Sequence, residues 1–69
     1  MVKVIGVEGM MCNKCVAHVT KALEGVEGVV NVEVNLEEKK ATVEIEEGVT
    51  DEELTAAIVE EGYEVTGIA

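Results

Sequence analysis

With 69 residues, the chain has room for a single domain (1–69) and none to spare. A chain this short buries only about 60% of the surface that it exposes when unfolded, so it needs an efficient core or a staple. Five lysines against fifteen acidic residues give a formal charge of −10, which argues against nucleic-acid binding and attachment to anionic lipid.

Phe and Trp are missing and Tyr63 is the one aromatic residue, so the core must come from Val, Ile, Leu, Ala and Met. The excess of valine favours pleated, half-buried strands. Val2 to Glu8 is the first, with Ile5 and Val7 expected to point inward. Gly9-Met10-Met11 breaks the alternation. From about Asn13 the spacing turns helical, and Val16, Val19 and Leu23 share one stripe. Gly25 is expected to end that helix in a left-handed conformation. Val29 to Leu36 alternates again, with Val32, Val34 and Leu36 opposite Asn31, Glu33 and Asn35. Glu37-Glu38-Lys39-Lys40 is too short for a crossover, so it joins a hairpin whose return strand carries Ala41, Val43 and Ile45 inward.

Thr50 ahead of Asp51-Glu52-Glu53 signals a second helix. Thr50 and Glu53 can form a capping box, and the acids favour the positive helix start. Leu54, Ala57, Ile58 and Glu61 form its stripe, Gly62 stops it, and Tyr63 to Ile68 is a final strand. The two halves echo each other, with Leu23-Glu24-Gly25-Val26 matching Glu60-Glu61-Gly62-Tyr63. The order β-α-β-β-α-β, with right-handed crossovers, gives an α+β, ferredoxin-like sandwich: a four-stranded antiparallel sheet with both helices on one face.

Cys12-Asn13-Lys14-Cys15 lies where the first strand hands over to the first helix. The helix start offers unpaired N–H groups and partial positive charge, which stabilise thiolates and lower cysteine pKa values. Lys14 adds a cation. Cys12 sits in a loop free to swing, while Cys15 is held near the first turn. Two soft thiolates suit a two-coordinate Cu(I) ion. A closed structural zinc site wants four ligands, and only two cysteines and one histidine exist here. An open pair suits transfer, because an incoming cysteine can become a third ligand before one of the first two leaves. A disulfide across so short a loop would stabilise the fold little.

Gly9-Met10-Met11-Cys12-Asn13-Lys14-Cys15 resembles the GMxCxxC signature of heavy-metal-associated domains, as in bacterial copper chaperones and the N-terminal domains of copper-transporting P-type ATPases. Val16 after the second cysteine, Gly28-Val29 and the Glu61-Gly62-Tyr63-Glu64-Val65 ending extend the similarity along the chain. The resemblance implies a metallochaperone that binds one Cu(I) per monomer through Cys12 and Cys15. It implies Met10 as a buried anchor of the metal loop, and Tyr63 facing the site, where its ring shields the ion. A purely packing role for Tyr63 at a strand start is the bland alternative. The implied partner is a copper-transporting P-type ATPase or its metal-binding domain, and a metal-bridged homodimer is a second arrangement. Relatives that prefer Zn(II) or Cd(II) carry an acid directly before the first cysteine. Methionine stands there, as Met11, which favours a monovalent ion; Hg(II) and Zn(II)/Cd(II) carriers remain the alternatives.

The charge is uneven. From Met10 to Leu23 there are Lys14, His18 and Lys21 and no carboxylate, whereas Glu44 to Glu64 holds nine carboxylates and no lysine. Lys14, His18 and Lys21 therefore mark a candidate docking face for an acidic partner. His18 is otherwise an ordinary exposed helix residue, and Met11 an exposed loop residue. No signal-peptide layout opens the chain and no apolar run approaches the roughly 18 residues that span a bilayer, so a cytoplasmic protein without membrane insertion is expected. The starting methionine favours a free carrier over an excised ATPase domain. No acid–base pair or phosphate-cradling loop indicates an enzyme. A thiol–disulfide oxidoreductase is the rival from another class, and the absence of any proline, hence of a cis-proline beside the cysteines, argues against it.

Overall fold

The computed structural model describes residues 1–11 and 13–69. Six elements follow in order: β1 (Val2–Glu8), α1 (Asn13–Glu24), β2 (Val29–Asn35), β3 (Lys40–Ile45), α2 (Asp51–Glu60) and β4 (Glu64–Ile68). The strands form one sheet in the order β2-β3-β1-β4, and every neighbouring pair is antiparallel. This is the ferredoxin-like arrangement expected from the element order.

Strand alternation decides which face is covered. In β3, Ala41, Val43 and Ile45 are buried while Thr42 and Glu44 between them are exposed. Ile5 and Val7 do the same in β1. These residues form one cluster with Val19 and Leu23 of α1 and Leu54 and Ile58 of α2, so both helices lie on the same face of the sheet. A fully buried aliphatic side chain stabilises the fold by about 1.5–3 kcal/mol. The central strands β1 and β3 supply five such residues, whereas Val32 and Val34 of the edge strand β2 are only half-buried.

The second helix starts as its sequence requires. Thr50 Oγ1 accepts a hydrogen bond from the Glu53 backbone N–H at 3.2 Å, and its hydroxyl lies 3.3 Å from Glu53 Oε1, to which it donates. A partly exposed ion pair, Lys3 with Asp51 at 3.5 Å, joins β1 to the head of α2.

Gly25 corrects the expectation for the end of α1. Its φ is not positive, and its N–H still donates to the Lys21 carbonyl at 3.1 Å in helical fashion. The left-handed residue is Gly28, with φ of 96°. Val26 explains the shift: the chain runs on for one more turn so that Val26 packs against the core before it reverses into β2. Gly62, expected to stop α2, follows its end and is left-handed, at φ of 91°. Two irregularities also escape simple alternation. The register shifts around Val30, which is 58% exposed, and again where β4 pairs with the Gly6/Val7 step of β1. At the second of these a side chain on Gly6 would overlap Thr66 Oγ1.

Candidate metal centre

The candidate loop leaves the end of β1. Gly9 adopts φ of 100°, a backbone turn open to glycine and strained for other residues. That turn sends consecutive side chains to opposite fates. Met10 is 6% exposed and joins the core cluster, whereas Met11 is 88% exposed. Cys12, the first candidate ligand, lies outside the described residues. Cys15 is the third residue of α1, half-buried and packed against the core.

Helix geometry explains the position of Cys15. At 3.6 residues per turn, Cys15 falls between two stripes of α1. One is Val16, Val19 and Leu23, directed at the sheet; the other is Lys14, His18 and Lys21, all three exposed. The structure therefore brings Lys14, His18 and Lys21 together on the outer side of the helix, away from the core-facing stripe. The first turn of α1 contains no acidic residue. The partial positive charge of a helix start therefore meets no carboxylate of that turn, and it favours an anion beside Cys15.

Tyr63 reaches the loop from the other end of the chain. Gly62 reverses the backbone after α2, and the Tyr63 N–H donates to the Ile58 carbonyl at 3.3 Å. Glu8 of β1 pairs with Glu64 of β4, so the residues one step beyond, Gly9 and Tyr63, become neighbours. Tyr63 Cδ1 lies 3.3 Å from where a Cβ on Gly9 would stand. The half-buried ring thus packs on the bare backbone of Gly9. This role of Gly9 was not visible in the sequence, where the residue registers only as a break in alternation. Its one signal is a glycine wedged between a strand and a buried methionine. Among the described residues no three His, Cys, Asp or Glu side chains converge in a way that could hold a metal ion.

A βαββαβ sandwich with a cysteine in the first turn of its first helix and a CxxC pair in its sequence fits a class of small heavy-metal-associated domains. Residues 4–64 match the heavy-metal-associated domain, and the chain belongs to that family. It is 45% identical over 64 residues to the copper chaperone CopZ of Staphylococcus epidermidis, a match covering 91% of this chain and 94% of that protein. It is 42% identical over 65 residues to copper-transporting ATPase 1 of Rhizobium meliloti and 44% identical over 68 residues to the mercuric reductase of Shewanella putrefaciens. Each match covers 94% of this chain, but the chain spans only 8% of the ATPase and 12% of the reductase. The solved structure of a CopZ metallochaperone superposes with a TM-score of 0.92 at 33% identity, covering 96% of this chain and 100% of that one. A metal-carrying role follows from this kinship. No described helix is long and apolar enough to cross a membrane.

Proposed function

We propose that this chain is a non-catalytic Cu(I) carrier of the cytoplasm. The thiolates of Cys12 and Cys15 hold one ion per chain and pass it to the metal-binding domain of a copper-transporting P-type ATPase. A thiolate of the partner enters as a third ligand; one of the two original thiolates then leaves, and no electron changes hands. The observation that carries this reading is the setting of Cys15. Its half-buried side chain sits in an acid-free first helical turn, directly after a loop pinned by buried Met10. Soft thiolates select a soft ion, and the exposed Met11 directly before Cys12 supplies no hard oxygen.

The deciding experiment titrates the reduced protein with Cu(I) against a chromophoric cuprous chelator under anaerobic conditions. One equivalent retained by the parent and none by Cys12→Ser or Cys15→Ser is the expected outcome. Retention by the doubly substituted protein would sink the proposal. The mercuric reductase relatives support one other reading, an Hg(II) carrier on the same two sulfurs. Growth in medium containing both metals, followed by elemental analysis of the protein recovered from cells, separates the two.

Docking uses the exposed stripe of Lys14, His18 and Lys21 against an acidic partner surface. Charges of this kind are screened over roughly 8 Å at physiological ionic strength, so the transfer rate falls as salt rises. A transfer rate indifferent to salt would remove this part. Sedimentation of the Cu(I)-loaded protein distinguishes handover by a monomer from a metal-bridged homodimer.

A further inference from the structure

The outer surface between the two helices forms a groove of about 710 Å³ that does not include Cys15. Its small apolar lining includes Ala22, Ala56 and Ala57, and its acidic lining is Glu27, Glu53, Glu60 and Glu61 against a single cation, Lys21. Past Glu27 and Glu53 the acidic edge continues to Glu46 and Glu47, around a second hollow with no lysine on it. All these carboxylates are exposed, and the one ion pair among the described residues, Lys3 with Asp51, uses none of them.

We propose that this groove binds a basic segment of a partner protein. The segment would present lysine or arginine to the carboxylates and small or aliphatic side chains to the alanines. Charge complementarity selects that occupant. Carboxylates on both sides of a shallow channel attract guanidinium and ammonium groups, and arginine can engage a carboxylate through two hydrogen bonds at once. The short side chains of Ala22, Ala56 and Ala57 leave room for the segment between the helices. A second molecule of this chain is a poor occupant, since each carries a charge of −10. An anionic ligand is excluded on the same ground.

No described residue of the 9–15 segment lines the groove. A basic segment held there lies beside Lys21 but leaves Lys14, His18 and the head of α1 open, so the groove can tether the domain while the metal site acts elsewhere. The inference is independent of which metal the chain carries.

The test uses two-dimensional NMR of the labelled, metal-free full chain. The probe is the blocked peptide acetyl-Lys-Arg-Ala-Lys-Leu-Arg-Ala-Lys-amide, with a counterpart carrying Glu at every basic position as control. Saturable shifts at Ala22, Gly25, Ala56 and Ala57 are expected with the basic peptide alone. Exposed ion pairs each contribute a factor of about two, so E27Q/E53Q/E60Q should weaken binding roughly tenfold. Glutamine at position 53 keeps the capping geometry. The triple variant E33Q/E38Q/E44Q makes the same change in net charge on the sheet and hairpin side, and should weaken binding by less than about twofold. Ala56→Arg, which places a cation inside the groove, should abolish the shifts. Circular dichroism establishes that each variant folds, and its Cu(I) retention should equal that of the parent. Equal weakening by the two triple variants, shifts centred away from the helices, or a peptide-free dimer that closes the groove in sedimentation would each overturn the proposal.

Discussion

Replacing Met10 with alanine removes Cγ, Sδ and Cε from a side chain that is only 6% exposed. At about 0.8 kcal/mol for each buried methylene-sized group, the lost transfer energy is about 2.4 kcal/mol. Methionine-to-alanine truncations in cores span about 2–5 kcal/mol, according to how far the surroundings collapse. Met10 lies in a loop beside the exposed Met11, so its neighbours can close in, and the loss belongs near the lower end, about 2–3 kcal/mol. Domains of this size have roughly 3–10 kcal/mol of stability in all, which makes this single loop residue a major contributor.

Urea denaturation followed by far-UV circular dichroism reads the effect. With a slope near 1 kcal/mol/M, the midpoint should fall by about 2–3 M. Met10→Leu keeps the volume and apolarity, and should cost less than about 1.5 kcal/mol. If Met10 also seats the metal loop, Met10→Ala should lose Cu(I) more readily than Met10→Leu at a urea concentration where both are folded. A Met10→Ala protein within about 0.5 kcal/mol of the parent would refute the reasoning, because the side chain would then contribute nothing to the core.

Gly9→Ala should cost about 1–3 kcal/mol from its positive φ alone, plus a contribution from crowding Tyr63. That second part should vanish in a Tyr63→Ala background, which a double-mutant cycle on thermal stability measures. Gly25 and Gly28 should respond oppositely to alanine. At Gly25 a Cβ meets the Ala22 carbonyl at an ordinary 3.4 Å and the backbone needs no glycine, so Gly25→Ala should raise stability by about 0.4–1 kcal/mol. At Gly28 the φ is 96° and a Cβ would overlap Val49 Cγ2, so the same change should destabilise by more than about 1 kcal/mol; equal effects in urea titrations would contradict the backbone geometry. Thr50→Ala removes the cap of α2 and should cost about 1 kcal/mol, with Thr50→Ser close to neutral in the same assay.

How these glycines differ shows what could be read in advance. Gly62 follows a helix whose apolar stripe ends on schedule, so its left-handed role was legible. Gly25 sits in the matching position of the first half and does not share that role, because Val26 has a place in the core and Ala/Val-rich periodicity does not reveal where the last buried contact falls. The bulges near Val30 and opposite Gly6/Val7 were hidden for a similar reason. A register shift is negotiated between two strands and leaves no mark on either one alone. The candidate site divides in the same manner. The cysteine spacing and the burial of Met10 were accessible through the motif, whereas the seat of Tyr63 on Gly9 and the acidic groove were not.

The sequence by itself determined the six elements, their order and most of the inward-facing residues, because periodicities of two and 3.6 residues and the Thr50–Glu53 cap act over a few neighbours in the chain. It did not reveal Val26, nor that Glu61 caps α2 exposed instead of joining its stripe. Only the tertiary structure decided that Glu8 faces Glu64, and hence that Gly9 meets Tyr63 across more than fifty residues of chain. It alone decided that Glu27, from the turn after α1, and Glu53, Glu60 and Glu61, from α2 and its end, edge one groove between the helices. Such encounters depend on strand register and on how the helices seat on the sheet, and both are set by the packing of the whole core.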